Sequence, residues 1–117
     1  MKVKKYHCDL YCANVVFLAG CNHKEASEYV RKRHGSPLDC TRRHSGGVWT
    51  IEDKDERLYV IWVRDKKDFS TMVHEVYHLV LNIFEDRGIG IDGDNQEPSA
   101  YYVEKWFTVL CDEMNKK

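Results

Sequence analysis

The sequence predicts an α+β domain in which a small three-stranded sheet, open to mixed pairing, is packed by three helices. Three observations predict it. Runs rich in β-branched and aromatic residues read as strands at 6–19, 48–53 and 58–63. Segments with apolar residues stepping by three and four read as helices near 23–34, 70–87 and 95–114. Glycines and capping residues, among them Gly20, Asn22, Gly35, Asp68 and Gly88, fall between these segments. With 117 residues the chain suits one domain, 1–117.

The first strand spans 6–19, "YHCDLYCANVVFLA", and ends at Gly20. Asn22 caps a covering helix that stops at Gly35, before Pro37. Ala26, Tyr29, Val30 and Arg33 share its core-facing side. Residues 36–46 read as a loop. "VWTIEDKDERLYVIWVRD" then gives two β-rich runs around a polar turn at Lys54 and Asp55, a hairpin. Its second run, Leu58 to Val63, is apolar on both faces, as a central strand should be.

The helix at 70–87 takes Asp68 or Ser70 as its cap and ends at Gly88. Val73, Val76, Tyr77, Val80, Ile83 and Phe84 fill one broad side, and Met72, Leu79 and Leu81 fill much of the rest. A helix apolar nearly all round is expected to be buried. In the last helix Asp94 and Glu97 have the spacing of a capping box, and Pro98 is tolerated in the first turn. Its expected core stripe is Ala100, Val103, Phe107, Leu110 and Met114.

Composition narrows the function classes. A net charge of −1, with no block of like sign, gives no footprint for nucleic acid or an anionic membrane. Lys2, Lys4 and Lys5, and the arginines at 31, 33, 42 and 43 with Lys32, read as solvated surface. No stretch reaches the roughly 18 apolar residues of a membrane helix. "VFLAGC", residues 16–21, resembles a lipoprotein cleavage box, but His7, Asp9 and Asn14 interrupt the apolar region it needs. It reads as a buried strand. Five cysteines, an odd number without framework spacing, point to a reducing, cytoplasmic compartment. A second zinc site from Cys21, His23, Cys40 and His44 has no CxxC pair to support it.

The chemistry lies in "STMVHEVYHLVLNIFEDRG", residues 70–88, where His74, Glu75 and His78 form HExxH. Random placement gives this motif in about 2% of chains of this composition. Residues four apart share a helix face, so both imidazoles can converge on one tetrahedral zinc. Glu75 is turned a quarter of the helix away and can reach a water on the metal as a general base. A catalytic zinc needs a third protein ligand. The pattern HExxHxxGxxH fails, because Leu81 and Phe84 occupy the Gly and last His positions, and no histidine follows His78. The third ligand, if downstream, is therefore a carboxylate. Glu85 and Asp86 lie too far along the same helix, and Asp92 and Asp94 read as loop and cap residues. Glu97 extends the expected stripe of the last helix, and Glu104 flanks it.

HExxH on one helix and a Glu followed by a small residue and tyrosine on the next resemble the gluzincin type of zinc metallopeptidase. "HEVYHLVLNIFEDRGIGIDGDNQEPSAYYVEKW" is similar to small phage- and prophage-encoded metallopeptidase-like domains. The resemblance covers residues 70–107 closely and the preceding strand–helix–hairpin loosely. It implies a minimal zincin-like fold, one Zn²⁺ held by His74, His78 and Glu97, and Glu75 as base. The expected activity is hydrolysis of an amide bond in a peptide or protein substrate through water on the zinc. Tyr101, one turn after Glu97, is the first candidate to stabilise the oxyanion, beside Tyr102, Tyr77 and His44. A second reading is a non-catalytic phage protein in which zinc is a structural clip and the partner is a host factor. A third is a zincin-like fold with neither metal nor activity.

Overall fold

Two stretches, Val15–Ala19 and Leu58–Val63, are buried at every residue. Strands buried on both faces belong in the middle of a sheet covered on each side, and parallel pairing suits them. The computed structural model, which describes residues 1–39, 45–94 and 96–116, has this arrangement. Four strands, β1 (Lys2–Cys8), β2 (Ala13–Ala19), β3 (Gly46–Asp53) and β4 (Glu56–Val63), form a mixed sheet in the order β1-β2-β4-β3. The central pair β2/β4 is parallel, with Asn14 opposite Leu58 and Ala19 opposite Val63. The outer strands are antiparallel to their neighbours. Helices α1 (His23–His34), α2 (Phe69–Asp86) and α3 (Gln96–Asn115) complete an α+β fold.

Alternation along the central strands sorts their side chains between two cores. Val16, Leu18, Val60 and Trp62 pack with Ala26 and Val30 of α1. Val15, Phe17, Tyr59 and Ile61 pack under α2 and α3. Asn22 caps α1 in a full capping box with Glu25, and Gly35 ends it at φ +80°. Within α1, Ala26 and Val30 are buried, Tyr29 is half-buried and Arg33 is exposed. Lys54 and Asp55 both adopt positive φ, as a tight two-residue hairpin turn demands. Asp68 caps α2 through the Thr71 N–H, and Gly88 follows its end at φ +70°. At the far end of α2, Tyr59 donates to Asp86 Oδ2 at 2.5 Å and fixes the helix to the sheet. Burial, helped by that carboxylate, pushes the Tyr59 phenol up to about 12.

Three expectations need correction. The sheet has four strands, because 6–19 is two strands: β1 begins in the lysine-rich N-terminus, and the turn 9–12 folds it back on β2. That turn contains neither Gly nor Pro, and Cys12 takes φ +51° instead. Second, α2 is not buried all round: Val73, His74, Tyr77 and His78 are exposed on one side. Third, the stripe of α3 is rotated. Tyr102, Trp106, Leu110 and Met114 are buried, Val103 and Phe107 only partly, and Ala100 is exposed. The aromatic pair Tyr102 and Trp106 takes the core position in place of Ala100, Val103 and Phe107. The helix starts at Gln96, so its cap position, Asn95, lies outside the described residues, as do Cys40 and His44 of the second zinc reading. No helix among the described residues is long and apolar enough to cross a membrane.

Candidate metal centre

The His74–Glu75–His78 group is set by how α2 rests on the β3 edge of the sheet. Glu75 points down, 3% exposed, toward β3, while His74 and His78 stand beside it at the surface. The Nε2 atoms of His78 and His74 are 3.2 Å apart, and their ring centroids 4.8 Å. Two nitrogens at ordinary zinc distances and a tetrahedral angle would be about 3.3 Å apart. The separation thus fits a shared ion. One ligand atom from each of His74, Glu75 and His78 can be chosen so that all three lie within 4.8 Å of one another.

These side chains open onto a cleft of about 270 Å³ lined by Gly46, Gly47, Val48, His74, Glu75, His78 and Asn82. The close approach of β3 to α2 depends on Gly46. A Cβ there would stand 2.6 Å from Thr71 Cγ2, 3.0 Å from the Trp62 carbonyl oxygen and 3.1 Å from Glu75 Cγ. Backbone lies on one side and the candidate base on the other, so neither can yield freely. Gly46→Ala is expected to cost about 1–3 kcal/mol, the usual effect of forcing a methyl group into a filled contact. A urea unfolding curve checks this.

The residues expected from sequence divide into two groups. His74, Glu75 and His78 come together in the cleft. Glu97 does not join them: it is exposed in the first turn of α3, and Glu104, about two turns later, is exposed as well. The periodicity that pointed Glu97 inward began at Ala100, which is itself exposed. Tyr101 is 66% exposed. Tyr102 is buried against Tyr11 and Phe84, away from the cleft lining. Among the tyrosines considered, Tyr77 is the neighbour of the imidazoles, its ring centroid 6.4 Å from that of His78. Tyr77 also borders a shallow groove toward α3, with Ile91, Ser99, Ala100 and Val103. His44, the remaining oxyanion candidate, lies outside the described residues.

Asn82 was missed by the sequence reading. It is half-buried in the cleft wall, one helical turn after His78. A signal was present, since 74, 78 and 82 repeat at i+4 along one face and Asn82 is polar in an apolar run. Gly46, read as the end of a loop, and Gly47, assigned to no element, were also missed. Comparison of the chain with protein-family models, with curated proteins and with solved structures finds no match.

Proposed function

We propose that this chain is a zinc-dependent hydrolase of the metallopeptidase type, acting on an amide bond in a peptide or protein. The observation that carries the reading is the pair of Nε2 atoms 3.2 Å apart above a buried Glu75, all facing one cleft. In this reading His74 and His78 hold the ion. Zinc, when bound, acidifies a water and polarises the scissile carbonyl. Glu75 accepts the water's proton and returns one to the leaving nitrogen. Its burial beneath the imidazoles keeps the carboxylate on the cleft side of α2, close to both nitrogens.

The edge strand supplies the means of positioning. β3 pairs with β4 along one side and lies at the end of the sheet order, so its other side faces outward beside the cleft. An extended peptide can add to such an edge through main-chain hydrogen bonds. Gly46 and Gly47, which carry no side chains, line the cleft together with the imidazoles. The exposure of both histidines favours catalysis over a structural clip, since structural zinc sites are closed four-ligand sets.

Glu75→Gln separates binding from chemistry. The variant should retain zinc within a factor of about three while hydrolysis of a casein or peptide-library substrate falls by about 100-fold or more, the scale of a lost general base. Unchanged turnover would remove Glu75 from the mechanism, and absence of zinc uptake by the parent chain would remove the reading itself.

A further inference from the structure

One polar side chain of the cleft, Asn82, takes no part in activating the water. It is half-buried in the wall, and no hydrogen bond holds its carboxamide among the described residues. Its neighbours Val80, Leu81, Ile83 and Phe84 are all apolar, and all but Leu81 are buried, so packing alone does not call for an amide here. A carboxamide held partly out of water without a partner forfeits hydrogen bonds that a ligand in the cleft would restore.

The position of Asn82 along the cleft limits what that ligand is. Gly46 of β3 stands against Thr71 and Glu75, in the first third of α2. Asn82 comes seven residues after Glu75, roughly 10 Å further along the helix axis, with His78 between them. The carboxylate is therefore at one end of the cleft and the unpaired carboxamide at the other. An extended peptide rises about 3.3 Å per residue, so about three residues span that distance. A peptide added to the β3 edge pairs only its alternate residues with β3, and the N–H and C=O groups of the residues between point away from that strand. A carboxamide offers both an N–H donor and a carbonyl acceptor, the complement of those groups. Zinc, in contrast, is held by thiolate, imidazole and carboxylate, so the amide matches a peptide group better than it matches the ion.

We propose that Asn82 is a substrate-binding residue whose carboxamide grips a main-chain peptide group of an extended chain, about three residues from the bond beside Glu75. The substrate class that follows is an unfolded internal segment of a protein or peptide, recognised through its main chain. A dipeptide is too short to reach both ends of the cleft. This assignment rests on the peptide-hydrolase reading of the same cleft.

The test takes the zinc-loaded Glu75→Gln chain, in which binding is measured without turnover. Fluorescence anisotropy gives its affinity for two blocked, fluorescein-labelled pools of random sequence, one of tripeptides and one of octapeptides. The octapeptides should bind about tenfold more tightly, the scale of one well-placed hydrogen-bonding group. Adding Asn82→Ala should erase that difference while zinc is retained. Asn82→Gln, which keeps the carboxamide on a longer stem, should recover part of the length preference, an outcome that loss of packing would not give. An unchanged octapeptide affinity in Asn82→Ala would overturn the assignment alone. Loss of zinc from Asn82→Ala as large as that from His78→Ala would place the carboxamide on the ion and overturn it too. Binding of neither pool by the zinc-loaded chain with Asn82 intact would overturn both the assignment and the peptide reading of the cleft. A length preference that depends on Asn82 upholds the assignment even where the parent chain shows no turnover, a result that counts against hydrolysis only.

Discussion

His78→Ala is expected to lower zinc affinity by about 100-fold or more, beyond the effect of disturbing an outer-shell partner. Isothermal titration of the purified chain checks it, alongside elemental analysis for about one zinc in the parent. The expectation rests on the 3.2 Å separation of the two Nε2 atoms, which leaves no spare imidazole among the described residues of the cleft. His74→Ala should behave alike, and full zinc retention in either variant would sink the pair as ligands. Titrated side by side, Glu97→Ala and Asn82→Ala assign the third position. Resemblance names Glu97, exposed on α3, while the cleft holds Asn82. The larger loss identifies the group that closes on the ion.

The largest loss of stability is expected at Trp62→Ala, about 3–5 kcal/mol by the usual cost of emptying a filled aromatic site. Trp62 is fully buried in the core beneath α1, beside Trp49 and His23. Its indole N–H donates to the Cys21 carbonyl at 2.8 Å, so the substitution also strands a buried acceptor. Chemical denaturation measures the loss, and Trp62→Phe should recover much of the packing but not the hydrogen bond. Because this core faces away from α2, the fraction of the variant that remains folded should bind zinc with near-parental affinity. A parallel collapse of affinity would mean that the two faces of the sheet are coupled.

Legibility in the sequence followed the range of the forces involved. The Asn22 cap, the Lys54–Asp55 turn and the Asp68 cap, offered beside Ser70, act over three or four residues and were legible, although the Glu25 half of the Asn22 capping box was not read. The central strand at 58–63 was legible because its run is apolar on both faces. The turn at 9–12 was hidden, since its positive φ falls on Cys12 and no Gly or Pro marks it. The face of α2 was misjudged because apolar character was equated with burial: Val73 and Tyr77 are apolar or aromatic yet 44% and 53% exposed. The phase of α3 was missed because the spacing 100, 103, 107, 110 and 114 competes with 102, 106, 110 and 114, and the rings of Tyr102 and Trp106 fill the core. The motif itself was legible as letters, but its exposure and its companions Gly46 and Asn82 arise from packing between elements, which periodicity does not encode.

The chain order of the cleft has a consequence for how the protein acquires it. Every described residue lining it falls between 46 and 82, within one hairpin and the helix that follows. The β2/β4 pairing, by contrast, joins Asn14 to Leu58 and must wait for a long loop to close. The β3–β4–α2 segment can therefore assemble its imidazoles and carboxylate through near-neighbour contacts early in folding. An ion captured at that stage would act as a template on which the parallel centre of the sheet is completed, rather than as a late addition to a finished molecule.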